Sequence, residues 1–174
     1  MAIDRQKTET VHWHAVFTAS RAEKKVRDRL EELGVECFLP VQTVLRQWTY
    51  RKSRVVVPVI AGLVFVRVGR QEQVKVLQTK GVVAFLRLKG EAAVIPDKQM
   101  EDFRFLLDFS EEAVEMTNEN IKAGDLVRVV KGSLRGMEGE LIRHKGVTKV
   151  LVRIDMLGCA MVNIPASFVE KLNK

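Results

Sequence analysis

His12 and His14 alternate around Trp13 at the start of an apolar run, so on a strand both imidazoles share one face. Such a pair could give a metal two ligands, but no third stands at ligand spacing beside it, and it reads as two strand-edge histidines. Cys37 and Cys159 lie far apart in apolar surroundings, which argues against a disulfide framework and against zinc. His144 sits near a turn with no Ser or Cys nucleophile motif, and no phosphate-binding glycine loop occurs. Glu31-Glu32 falls on a helix face and Glu111-Glu112 in an acidic stretch, neither in anything resembling a pocket. The reading is a non-catalytic protein without metal or cofactor.

The remaining chemistry is cationic. The chain has 29 Lys+Arg against 22 Asp+Glu, a net charge of +7, which points to an anionic partner. Between Val41 and Pro58 stand Arg46, Arg51, Lys52 and Arg54 with no acid, interleaved with Trp48 and Tyr50. Cations and aromatics on one protruding arm can track phosphates and stack on bases. A second cluster runs through Arg67, Arg70, Lys75, Lys80, Arg87 and Lys89, and a third through Arg21, Lys24, Lys25 and Arg27. Three such clusters make nucleic acid, or a protein already bound to it, the expected partner. No apolar run approaches the ~18–20 residues of a membrane span, and MAIDRQKTETVHWH contains no signal-peptide core. The expected location is the cytoplasm.

The elements that must carry these side chains follow from periodicity. Val11–Thr18 reads as a strand, and Ser20-Arg-Ala-Glu23 as a capping box opening a helix that Gly34 stops. Val35–Leu39 is a second strand. Val41–Leu45 and Val55–Val57 flank a polar hairpin arm, and Leu63–Val68 is a β-branched central strand. A short helix over Gln71–Gln78, a strand over Val82–Leu88 and a helix opened by Pro96-Asp97 complete an α+β sandwich, a mostly antiparallel sheet with flanking helices. From Phe105 to Ile121 there is no Lys or Arg, and the acidic stretch 110–120 reads as a linker. Beyond it, five short strands with glycines at the corners suit a small SH3-like barrel. The expected division is a tail, 1–10; an α+β domain, 11–109; the linker, 110–120; and a barrel, 121–174.

The order and motifs resemble NusG-type transcription elongation and antitermination factors, with a NusG N-terminal domain followed by a KOW domain. The resemblance rests on Trp13-His-Ala-Val-Phe17, Glu23-Lys-Lys-Val26, Gly62-Leu-Val-Phe-Val66 and Gly81-Val-Val-Ala-Phe85. It continues in Gly124-Asp-Leu-Val-Arg-Val129, Glu138-Gly139, Leu157-Gly158 and Phe168-Val-Glu170. The run from Gly34 to Trp48 is similar to the specialised UpxY-like (RfaH-like) paralogues of Bacteroidales, which govern capsular polysaccharide operons. Two features depart from the family pattern: Ala61-Gly62-Leu63 stands where a proline and an aromatic are common, and Glu72-Gln73-Val74 stands near the place of a His-Thr-Thr element.

The resemblance implies a factor that suppresses pausing or termination. It implies docking on the clamp helices of RNA polymerase through Trp13, Phe38, Ile60, Leu63 and Phe65, and contact with the upstream or displaced DNA strand. DNA contact would fall to Arg21, Lys24, Lys25, Arg46, Arg51, Lys52 and Arg54, with Gln71, Gln73 and Lys80 available for sequence recognition. It also implies that the KOW domain recruits ribosomal protein S10 or a termination factor. The alternative from another class is a ribosome-associated or general RNA-binding KOW protein. A helical form of the C-terminal half, as in RfaH, is disfavoured by the period-two pattern of Val127, Val129, Val150, Val152 and Ile154.

Overall fold

The computed structural model of the chain describes residues 9–173. In chain order its elements are β1 (His12–Thr18), α1 (Glu23–Glu32), β2 (Glu36–Phe38), β3 (Val41–Trp48), β4 (Arg51–Pro58), β5 (Leu63–Val68) and α2 (Glu72–Leu77). Then come β6 (Val82–Phe85), β7 (Arg87–Leu88), β8 (Glu91–Ala92) and α3 (Asp97–Phe109). β9 (Glu115–Thr117), β10 (Asp125–Val129), β11 (Glu138–His144), β12 (Val147–Ile154), β13 (Gly158–Asn163) and β14 (Val169–Lys171) follow. The tail, 1–10, lies outside the described residues except for Glu9 and Thr10.

The chain forms two compact units. One takes in the chain up to Leu39 together with Ala61–Val94; the other takes in Pro40–Ile60 and the chain from Ile95 onward. The hairpin arm and α3 thus group with the C-terminal strands.

The first unit is an antiparallel sheet of order β2-β5-β1-β6. Its inner strands are rich in Val, Phe and Ala, and Val16, Val64, Phe65 and Val66 are fully buried. α1 buries Val26 and Leu30, four residues apart on one face, completely. The expected capping box does not form. Arg21 takes a left-handed φ of 58°, the helix starts at Glu23, and its N-cap position is Ala22. The expected strand 82–88 breaks at Leu86, whose N–H bonds Ala15 O while Arg87 pairs with Ala92.

In the second unit, β3 and β4 pair continuously from Val41↔Pro58 to Trp48↔Arg51. The expected hairpin arm 46–54 is ladder almost to its tip, and only Thr49 and Tyr50 turn. The arm is anchored at its base: the Gln42 amide donates to Val114 O at 3.2 Å and accepts the Val114 N–H at 2.9 Å. The C-terminal strands form an antiparallel sheet of order β14-β10-β11-β12-β13-β9. Among the described residues no ladder joins β14 to β9. Val127, Val129, Val150, Val152 and Ile154 are all buried, as their alternation requires.

The stretch read as a linker is partly strand. Glu115–Thr117 pairs with Met161–Cys159, and Gly158 makes this possible. A Cβ at Gly158 would meet Thr117 O at 2.1 Å, so only glycine lets the two backbones approach. Lys149, 4% exposed, is satisfied by Glu115 Oε1 at 2.8 Å. At the other end, Arg153 donates twice to Glu140 (2.6 and 2.9 Å) and once to Ile121 O (3.0 Å), while Glu140 also accepts the Gly124 N–H. The Arg153 guanidinium holds the Glu140 carboxyl below its usual range. On α3, Gln99 holds Asp155 through a reciprocal pair of hydrogen bonds at 2.9 and 2.8 Å.

Candidate nucleic-acid interface

In the first unit the register decides which predicted side chains meet. Trp13 opposes Arg67, Phe17 opposes Leu63, and Phe38 opposes Phe65. Trp13, Phe38, Leu63 and Phe65 consequently share one face of the sheet. Phe38 stacks on Phe65 with ring centroids 6.2 Å apart. Trp13, Leu63 and Phe65 are 5%, 2% and 0% exposed, so they belong to the buried core. Phe38 stays partly exposed, as does Ile60 in the other unit. Phe17, which sequence reasoning left out of the patch, lies on the same face and is 40% exposed. Its signal was the alternation from Trp13 through Ala15.

The cations of the first unit gather around α1. Arg21, Lys24 and Lys25 are exposed at its start. Lys80 joins them because the Arg29 guanidinium donates to Lys80 O at 2.6 Å and the Ala19 N–H donates to Gly81 O. Lys75 Nζ reaches Leu33 O, tying α2 to the end of α1. Gln71 and Gln73 lie apart from this group. The Gln71 N–H donates to Glu9, and Gln73 lines a cavity of about 340 Å³ with His12, His14, Arg70, Arg87 and Glu91.

His14 is not a strand-edge residue, because β1 lies inside the sheet. Its Nδ1 is 2.8 Å from Ala93 O, its ring meets Phe85 edge-on, and it is 3% exposed. Burial pulls its pKa below the ordinary 6.5, against the hydrogen bond to Ala93. No group of three or more metal-ligating side chains occurs among the described residues.

The arm brings together what the sequence had only interleaved. Its ladder pairs Leu45 with Arg54, Arg46 with Ser53, Gln47 with Lys52 and Trp48 with Arg51. Arg46, Trp48, Arg51 and Ser53 face one way; Leu45, Gln47, Lys52 and Arg54 face the other. The Trp48 indole N–H donates to Ser53 Oγ at 3.0 Å. All four cations are exposed, and among the described residues none is ion-paired. A two-stranded arm lined with uncompensated cations presents a field suited to a polyanion.

Both β-rich units carry exposed basic surfaces, the kind of field that suits a polyanionic partner. Comparison with known proteins narrows the class: the family described as "Transcription termination factor nusG" matches residues 11–104. The chain belongs to the NusG family of transcription termination and antitermination factors. It is 24% identical over 163 residues to the transcription termination/antitermination protein NusG of Streptococcus pyogenes serotype M3, covering 86% of this chain and 89% of that one. The same figures hold for the NusG of Streptococcus pyogenes serotype M1. Among solved structures, Thermotoga maritima NusG is similar over 94% of this chain and 98% of its own, at 23% identity and a TM-score of 0.51, a likeness of fold. No helix among the described residues is long and apolar enough to cross a membrane.

Proposed function

We propose that the protein is an operon-selective antitermination factor of the UpxY-like kind, cytoplasmic, acting on loci such as capsular polysaccharide operons. RNA polymerase binding is typical of its family, and docking here falls to exposed Phe17 and partly exposed Phe38 in the first unit, with partly exposed Ile60 the contribution of the second. The basic groups then meet the upstream or displaced DNA strand. Bound across clamp and nucleic acid, the factor favours the closed, elongating state over the paused one, because a ligand shifts a conformational equilibrium only by binding one state better. The C-terminal sheet, read as a KOW barrel, recruits a second partner, ribosomal protein S10 or a termination factor.

The observation that carries this reading is the arm of Val41–Pro58, with four exposed cations, no acid and two exposed aromatics. A ribosome-associated RNA-binding role would use the same arm, but membership of a family of transcription factors favours polymerase. A pull-down against core polymerase, with and without a nucleic-acid scaffold, tests the choice. Capture is expected in both cases and should be tighter on the scaffold. Alanine at Arg46, Arg51, Lys52 and Arg54 should remove the scaffold's advantage and lower the salt dependence, by up to about 0.7–0.9 in log–log slope for each phosphate no longer neutralised. Capture of ribosomal subunits in place of polymerase would overturn the reading.

A further inference from the structure

We propose that the tip of the arm is a stacking platform for a single strand of nucleic acid, with one base seated on Trp48 between Arg46 and Arg51. The inference rests on the nucleic-acid reading of the arm and adds the mode of binding. Trp48 and Arg51 are directly opposed in the ladder, which sets their Cβ atoms about 5 Å apart. Arg46, opposite Ser53, is diagonal to Arg51 on the same face, at about 7–8 Å. The indole, reaching across the ladder to Ser53, thus crosses the line between the Arg46 and Arg51 backbone positions, from which each guanidinium can reach a phosphate beside the stacked base.

The indole is also held. Its N–H is satisfied by Ser53 Oγ at 3.0 Å, so stacking leaves no polar group unpaired and requires little further ordering of the ring. Trp48 is 53% exposed, and Tyr50, 97% exposed in the turn, stands two residues further on as a second ring. Bases inside a duplex have their faces covered by their neighbours, so an open aromatic face selects single strands, whatever their sequence. The opposite face of the arm, with Leu45, Gln47, Lys52 and Arg54, has cations but no aromatic ring and can serve phosphates only.

The test uses the full chain with a short fluorescein-labelled oligo(dT), an oligo(rU) and a DNA duplex of equal length. Both single strands should bind and quench Trp48 fluorescence, read as the difference from Trp48→Phe so that buried Trp13 cancels. The tighter of the two names the source, displaced DNA or transcript. Trp48→Ala should weaken single-strand binding about tenfold or more, without changing its salt slope or the affinity for duplex, whereas Trp48→Phe should stay within about threefold of wild type. Circular dichroism checks that each variant folds. An equal loss for duplex and single strand, or no loss in Trp48→Ala, overturns the platform. If the four-alanine arm then still loses its salt dependence, the wider nucleic-acid reading survives; if it does not, both fail.

Discussion

The Glu23 carboxylate accepts the Gly62 N–H at 2.7 Å, thirty-nine residues further along the chain. Gly62 O in turn accepts the Thr18 N–H at 2.9 Å, so the entry to β5 is bonded on one side to the end of β1 and on the other to the start of α1. Glu23 is 8% exposed. The residue that reads as half of a capping box instead fixes where the central strand begins.

Truncating that carboxylate should therefore cost more than an ordinary helix-start change. Glu23→Ala leaves the partly buried Gly62 N–H without its acceptor, at about 1–3 kcal/mol. Glu23→Gln keeps an acceptor oxygen and should lose less. Denaturant titration measures both, and equal stability of the two variants would mean that the bond contributes little.

Burial separates core from candidate docking surface. Leu63→Asp puts a charge where the side chain is 2% exposed and should unfold the first unit, at several kcal/mol. Phe17→Asp, at a position 40% exposed on the same face, should leave the melting curve nearly unchanged while capture by core polymerase falls. A folded Phe17→Asp variant that still binds would remove Phe17 from the proposed contact.

His14 gives the first unit a pH dependence of definite sign. Its native pKa is lowered by burial, so the unfolded chain takes up the proton first as pH falls below about 6.5. Stability from this group is complete above that value and declines as pH drops through the native pKa. Denaturation midpoints between about pH 7.5 and 5.5 should fall in the wild type and fall less steeply in His14→Asn. An unchanged slope in the variant would place the dependence elsewhere.

The Lys149–Glu115 pair should govern whether β9 stays attached. Glu115 is 55% exposed in its side chain, so solvent screens the pair, and Glu115→Gln should cost only about 1 kcal/mol or less. Its effect is local. Amide exchange at Met116 and Thr117 should quicken while β10–β13 keep their protection. Backbone shifts of the same sample should be those of strands over Leu126–Val129, Glu138–His144 and Val147–Ile154; helical shifts there would contradict the ladder.

Wherever one face of an element is apolar by strict period, the sequence alone was sufficient. α1 through Val26 and Leu30, β5 through its β-branched run, α3 behind Pro96, and the five C-terminal strands were all legible because local pattern and final burial agree. The cationic arm was legible as composition. Pairing at a distance was not. Which way Trp48 faces, and that Ser53 holds it, follow from a ladder register that only the folded hairpin sets. That His14 is core depends on Phe85 and Ala93, some seventy to eighty residues on, closing on its ring. That part of an acidic stretch becomes β9 depends on Gly158 admitting a second backbone and on buried Lys149 taking its counter-charge from Glu115. Trp13, Leu63 and Phe65 have the residue types of an interface and of a core alike, and burial is decided by what packs over a strand, not by the strand.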